Sequence, residues 1–430
     1  MTQVQRTFRK DTLMLSQYYD ALLDRFTRYV KIDTQSDPEC PDYPNTYPST
    51  QKQLDLLNLL KRECEAMGLH DVECDCHGYV TATLPSNVDR EVKTVGFIAH
   101  VDTSPEVSGA NVKPIVHKNY QGNDIVLPDR NDVVIKFDDN PELAEQIGND
   151  IITASGTTLL GADNKSGVAA IMTAMSYLVD HPEIPHGDIR IGFTPDEEIG
   201  GGTIYFDIEK FNAYCAYTVD SSTRGMLDTE TFSADSMSIT FYGINTHPGH
   251  AYHQMINAIK LVSEFIERLP KEDLSPETTK DRQGFVHPID IKAGVDFATV
   301  QFILRDFVEE NLTKQKDLLL SLAQATVDAH PGSTFESEHK VQYRNMSSVL
   351  DQYPDVTANA MKAIEESGLE VRQMAVRGGT DGSQLSLNGL PTPNIFAGEQ
   401  NYHSRYEWVS VQDMLKSAEV IVRLARIWAN

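Results

Sequence analysis

Three acids stand in a row in "FTPDEEIGGG": Asp196, Glu197 and Glu198, between Pro195 and the glycines Gly200 to Gly202. Side-by-side carboxylates repel, and a bound cation offsets that repulsion. The chain offers partners for such a cation in "AHVD" (His100, Asp102), "GADNKSG" (Asp163), "YTVD" (Asp220) and "NYHS" (His403). Two histidines and several carboxylates without a thiolate suit zinc, and also cobalt or manganese. A carboxylate shared between two ions, each completed by one His and one further acid, gives a nearly neutral site, as burial requires. Adjacent loop residues point in different directions, so one glutamate can bind metal while the other stays free. The free one is the general base that metal-assisted hydrolysis needs. Asp102, two residues beyond His100, is placed to hold the second ring nitrogen and fix its tautomer. The glycines let the backbone pass close by.

No single motif carries this reading. "PDEE" alone reads as a solvated acidic loop, "GADNKSG" as an Asx turn opening a helix, and "HVD" as an ordinary strand end. Their common placement is the signal. "TVGFIAH", "DIRIGFT" and "YCAYTVD" have the short apolar pattern of buried strands, and "NIFAG" precedes His403. "GVAAIMTAMSYLVD" after Asp163 reads as a buried, alanine-rich helix. Open α/β sheets bind ligands beyond the carboxyl ends of their strands, where these acids and histidines fall.

Around this set the chain alternates helix and strand. "QKQLDLLNLLKRECEAMGL" predicts an amphipathic helix stopped by Gly68, and "DVECDCHGYVTATLP" a hairpin about His77-Gly78. After residue 228 the pattern changes. "SADSMSITFYG", "ATVQFILRDF" and "STFESEHKVQYRNM" predict strands, and "QMINAIKLVSEFIERL" and "NLTKQKDLLLSLAQATVDA" predict helices. That is a compact α+β module of the ferredoxin-like sort. The α/β pattern resumes near residue 345 and ends in the helix "SVQDMLKSAEVIVRLARIWAN". The expectation is an α/β catalytic domain, residues 1–228 and 346–430, interrupted by an inserted α+β domain, 229–345.

The chain's 430 residues exceed what one core accommodates. A net charge of −26 disfavours nucleic acid and anionic membranes as partners. No apolar run approaches the ~20 residues that span a bilayer. The start lacks a secretory h-region, and an N-terminal helical extension is expected there. Five cysteines, an odd number without ligand spacing, predict free thiols and a cytoplasmic setting.

Together "HVDTSP", "LLGADNKSGVA", "GFTPDEEIG", "YTVDSS", "NTHPG", "RGGTDGSQLS" and "NYHSRYE" resemble the di-zinc exopeptidases related to aminoacylase and glutamate carboxypeptidase. Within that family the resemblance is nearest to members that release the N-terminal residue from tripeptides. It implies a catalytic domain with a ferredoxin-like lid, two Zn²⁺ per subunit (Co or Mn as substitutes), small peptide substrates, and a monomer or homodimer. The family pattern makes His100, Asp163 and Asp220 ligands of one zinc, and Asp163, Glu198 and His403 ligands of the other. It makes Asp102 and Glu197 catalytic. It assigns His247 of "THPG" to the scissile carbonyl, and Arg305 of "LRDF" and Arg377 of "RGGTDG" to the substrate's carboxylate. Related dipeptidases, carboxypeptidases and N-acyl amino acid hydrolases are the alternative activities. The chain departs from the pattern at Asn164, where the family usually has Asp, and at Ser221 and Ser222, where glycines are usual.

Overall fold

The computed structural model describes residues 14–430. The expected N-terminal extension before residue 14 lies outside the described residues; Ser16–Tyr18 form a short 3₁₀ turn. The chain divides into two compact units. The first holds the described residues through Thr229 with Ser348–Met374 and Thr380–Asn430; the second holds Glu230–Ser347 and Ala375–Gly379.

The main strands in chain order are β1 (His70–Cys74), β2 (Val80–Leu84), β3 (Val95–His100), β4 (Ile189–Thr194), β5 (Cys215–Ser221) and β6 (Met226–Thr231). Then come β7 (Ser233–Tyr242), β8 (Phe285–Ala293), β9 (Phe297–Asp306) and β10 (Thr334–Tyr343), and finally β11 (Arg372–Val376) and β12 (Asn394–Phe396). The large sheet runs β1-β2-β4-β3-β5-β12-β6-β11. Its centre is parallel: β3 pairs with both β4 and β5, and β5 with β12. Every residue of β3 and β4 is buried, because both faces are covered, which explains their unbroken apolar runs. Phe97, Ile191, Val219 and the helix Ala162–Asp180 belong to one core; Ile98, Ala216, Phe211 and Leu385 belong to another. The helix Val411–Trp428 packs on Ala162–Asp180. The alanines of the latter permit that close approach.

The register of the parallel strands fixes what their ends present. His100 pairs with Thr194, two residues before Asp196. Ile98 pairs with Thr218, which sets Asp220 level with His100.

The second unit is a four-stranded antiparallel sheet, β8-β9-β7-β10, with helices Ala258–Glu267 and Glu309–Ala329 packed on it. The chain order strand-helix-strand-strand-helix-strand is ferredoxin-like. Sequence periodicity supplies three of its strands and misses β8. That strand contains Pro288, carries a register shift between Pro288 and Asp290, and lies at the sheet edge, where a residue without an N–H is tolerated. Among the described residues no helix is long and apolar enough to cross a membrane. All five cysteines are free.

Candidate metal centre

Five side chains from five segments converge at the carboxyl end of the large sheet. His100 ends β3 and is buried. Its Nε2 lies 3.0 Å from Asp163 Oδ1 and 3.5 Å from Asp220 Oδ1. His403 Nε2 lies 2.7 Å from Glu198 Oε2 and 3.4 Å from Asp163 Oδ2. The ligand atoms of His100, Asp163 and Asp220 lie within 4.8 Å of one another, and so do those of Asp163, Glu198 and His403. Asp163 belongs to both triads and turns one carboxylate oxygen to each.

Local backbone explains these positions. Asp163 and Asn164 leave helical geometry at the start of the Ala162–Asp180 helix, after Gly161 in the left-handed region at φ +80°. This turn is gripped by Glu407, whose carboxylate accepts the N–H groups of Leu160, Gly161 and Asp163 at 2.6, 2.7 and 3.0 Å. The Asn164 amide oxygen accepts the N–H of Gly167 at 3.2 Å. The substituted position thus serves the turn and lies in neither triad. His403 is itself in the left-handed region, φ +57°.

The acidic triplet sends its members three ways. Asp196, at φ +60°, turns back into the protein and accepts from Ser49 N–H, Ser49 Oγ and Gln53 Nε2, each at 2.6 Å. Glu198 reaches His403. Glu197 approaches the first triad from outside, its Oε2 3.9 Å from His100 Nε2. Asp102 joins the parts: its carboxylate oxygens accept the N–H groups of Glu197 and Glu198 at 3.0 and 3.1 Å. Its main-chain oxygen lies 3.1 Å from His100 Nδ1 and its Oδ1 3.3 Å away. One fully buried aspartate therefore orients both the histidine and the acidic turn. Glu106, largely exposed, brings a carboxylate oxygen to 3.3 Å from His403 Nδ1.

Electrostatically the cluster is overloaded with acid. Burial pushes Glu198 up to about 8, and the Asp163 charge adds to it. Glu197 is driven well above the usual carboxylate range by burial, and Asp220 is raised by burial too. Burial alone would lower His100 and His403. The carboxylates outweigh it: Asp220, Asp102 and Asp163 raise His100 strongly, and Asp163 and Glu198 hold His403 at about 11. Asp163 is raised by burial but held lower overall by its two histidine bonds. Protons here stand where cations would: ligation requires neutral imidazoles and ionised carboxylates. Glu198 Oε1 is buried without a hydrogen-bond partner. An orphan carboxylate oxygen beside two nitrogen-and-oxygen triads is the donor set a pair of divalent cations satisfies.

Sequence reasoning gives no role to several further acids here, although it notes Glu399 near His403. Asp381, buried, accepts from Thr194 Oγ1 at 2.8 Å and is pushed up to about 7 by burial. Glu399, also buried, accepts from Ser166 Oγ at 2.9 Å. Asp381 opens a short helix capped by Thr380, so in sequence it resembles an ordinary first-turn acid. Glu407 closes the "NYHSRYE" motif, but nothing in that motif signals the turn it grips.

Two of the three glycines have distinct reasons. A Cβ at Gly202 would stand 2.1 Å from Asp381 Oδ1, whereas Gly200 has open space but φ +75°. Gly202→Ala is expected to lower stability by about 1–3 kcal/mol through overpacking and to reduce activity, because Asp381 is buried with the cluster. Gly200→Ala is expected to cost only about 1–2 kcal/mol of backbone strain and leave the site intact. Denaturant unfolding with kcat for both variants checks this.

The remaining sequence candidates lie in the second unit. His247 Nδ1 accepts the N–H of Gly249 at 3.1 Å. Arg305 donates to the main-chain oxygens of Asp235 and Leu304 at 3.2 and 2.9 Å. Arg377 donates to Asp281 O and Thr279 Oγ1 at 3.1 and 3.0 Å.

The model of peptidase family M20/M25/M40 matches residues 132–427. Peptidase T of Geobacillus thermodenitrificans is 47% identical over 407 residues, 95% of this chain and 98% of the relative. Peptidase T of Clostridium botulinum (strain Hall) is 43% identical over 412 residues, 95% and 99% of the two chains. Among solved structures, aminopeptidase PepT from Bacillus cereus superposes with TM-score 0.73 at 22% identity, covering 96% of this chain and 99% of that one. A dinuclear metal binding peptidase of the M20 family from Bacillus subtilis superposes with TM-score 0.63 at 12% identity, covering 96% and 98%.

Proposed function

The chain belongs to peptidase family M20/M25/M40 and is a peptidase, and from that premise we propose that it is a zinc-dependent aminopeptidase that releases the N-terminal residue of tripeptides. The observation that carries the metal-dependent part is the sharing of Asp163 between two three-ligand sets. The tripeptide preference rests on the likeness to peptidase T along nearly the whole chain. We further place the enzyme in the cytoplasm.

His100, Asp163 and Asp220 would hold one divalent cation, and Asp163, Glu198 and His403 the other. Bound there, two such cations supply Lewis-acid polarisation of a carbonyl and make water acidic enough to ionise near neutral pH. The chain's own groups do the rest. Glu197 lies outside both triads but adjoins the first, so its carboxylate takes the proton of the attacking water and returns it to the departing amine. Main-chain bonds to Asp102 fix the turn that carries Glu197. Asp102 also keeps His100 Nδ1 engaged, which leaves Nε2 for ligation. On the motif resemblance we assign the scissile carbonyl to His247 and the substrate's terminal carboxylate to Arg305 and Arg377.

The test is a peptide series. Metal-loaded protein is offered a di-, tri- and tetrapeptide of one residue, and free amino acid is followed. The tripeptide is expected to be preferred, and chelator to stop its hydrolysis. Amidating the tripeptide removes the charge an arginine clamps, an interaction worth about 1.5–3 kcal/mol. A fall in kcat/KM of about 10-fold or more is expected. Unchanged kcat/KM on amidation would show that no arginine reads the carboxylate.

A further inference from the structure

A cavity of about 640 Å³ opens on the large sheet among β1, β2 and β4. It is lined by Asp71, Glu73, Thr83, Asp188, Arg190 and Lys210, none of which belongs to the cluster above. Its volume is within the usual range for small-molecule sites, roughly 300–1,000 Å³.

Arg190 is the unusual member. It is only 9% exposed. It stands directly across from Thr83 in the β2–β4 ladder and donates to the Thr83 hydroxyl. Its guanidinium carbon lies 5.4 Å from the centre of the Phe211 ring. Its Nε has no hydrogen-bond partner. Among the described residues no carboxylate comes within ion-pair distance of it, although Asp71, Asp188 and Glu73 are near enough to act on its charge. Thr83 Oγ1 instead donates onward to Asp71 at 3.2 Å. Lys210 is already paired with Glu73, and Asp188 accepts the N–H of Ser86 at 2.7 Å.

A buried guanidinium with unused donors is costly, and a planar carboxylate satisfies it in two parallel bonds. Yet three carboxylates against two cations make the lining net negative, which disfavours a simple anion. A ligand carrying a carboxylate and an ammonium a few ångströms apart meets both conditions. We propose that this cavity binds a small zwitterion of the α-amino acid class, its carboxylate on Arg190 and its ammonium among Asp71, Glu73 and Asp188. The site is independent of the catalytic reading and requires no metal.

Calorimetric titration of the metal-loaded protein with L-alanine, acetate and ethylamine tests it. L-alanine is expected to bind in wild type, with acetate and ethylamine each at least ~10-fold weaker, since each offers half the contacts. Arg190→Met is expected to abolish this binding, with Arg190→Lys retaining part of it. Asp188→Asn keeps the acceptor for Ser86 and removes one charge. It is expected to weaken L-alanine about 10-fold while tightening acetate, a reversal that structural damage would not produce. The proposal is overturned if acetate binds as tightly as L-alanine, which would mean an anion site only. It is equally overturned if L-alanine binding is absent, or unchanged in both Arg190→Lys and Asp188→Asn.

Discussion

Glu197→Gln is expected to retain two bound cations and near-native KM while kcat falls by roughly 10²–10⁴, the usual share of a positioned general base. The variant keeps the shape of the side chain and the main-chain bonds to Asp102, so the turn stays in place. It removes a carboxylate that lies 3.9 Å from His100 Nε2, on the ligating side of the ring, without belonging to either triad. Thermal stability is expected to be unchanged or higher. Burial and the neighbouring acids already oppose ionised Glu197, and an amide carries no charge to desolvate. A solvated acidic loop would instead predict wild-type kcat. Metal content, kcat and Tm on one preparation separate the readings. Loss of metal in Glu197→Gln would show that the adjacent glutamates have been assigned the wrong way round.

Asp163→Asn is expected to be the most damaging single substitution, and for a different reason. Asp163 faces His100 with one oxygen and His403 with the other. An amide offers one neutral oxygen and one N–H₂, so at least one position meets a donor where it needs a ligand. Both cations should be held weakly. With each cation worth several kcal/mol in the transition state, kcat/KM should fall by at least ~10³-fold, and excess zinc should not restore it. Glu198→Gln touches one triad only. It should lose one cation first and recover part of its activity in excess zinc or cobalt. Equal rescue of both variants would contradict the shared role of Asp163.

Much of the framework was legible because its signals are local. Unbroken apolar runs marked β3, β4 and β5; Gly68 marked the end of the Gln53–Ala66 helix; and the switch after residue 228 marked the inserted module. The strand β8 was not legible, because Pro288 breaks the pattern that an edge strand is free to break. The roles of Asp196 and Glu407 were hidden for another reason. Their partners, Ser49 with Gln53 and the Leu160–Asp163 turn, lie more than a hundred residues away.

The sequence by itself determined the chemistry at hand: which residue types stand at strand ends, two histidines and several acids without a thiolate, and hence a candidate divalent-metal site beyond the sheet. Only the tertiary structure gives a physical reason for the division that the motif resemblance implies. Residues 196, 197 and 198 are equivalent in a string of letters, but in space one is tied to Ser49 and Gln53, one lies beside His100 and one meets His403. The strand register, the left-handed φ of Asp196 and the two bonds to Asp102 separate them. A side chain's identity is local, whereas its direction is set by backbone geometry and by partners that distant parts of the chain bring to it.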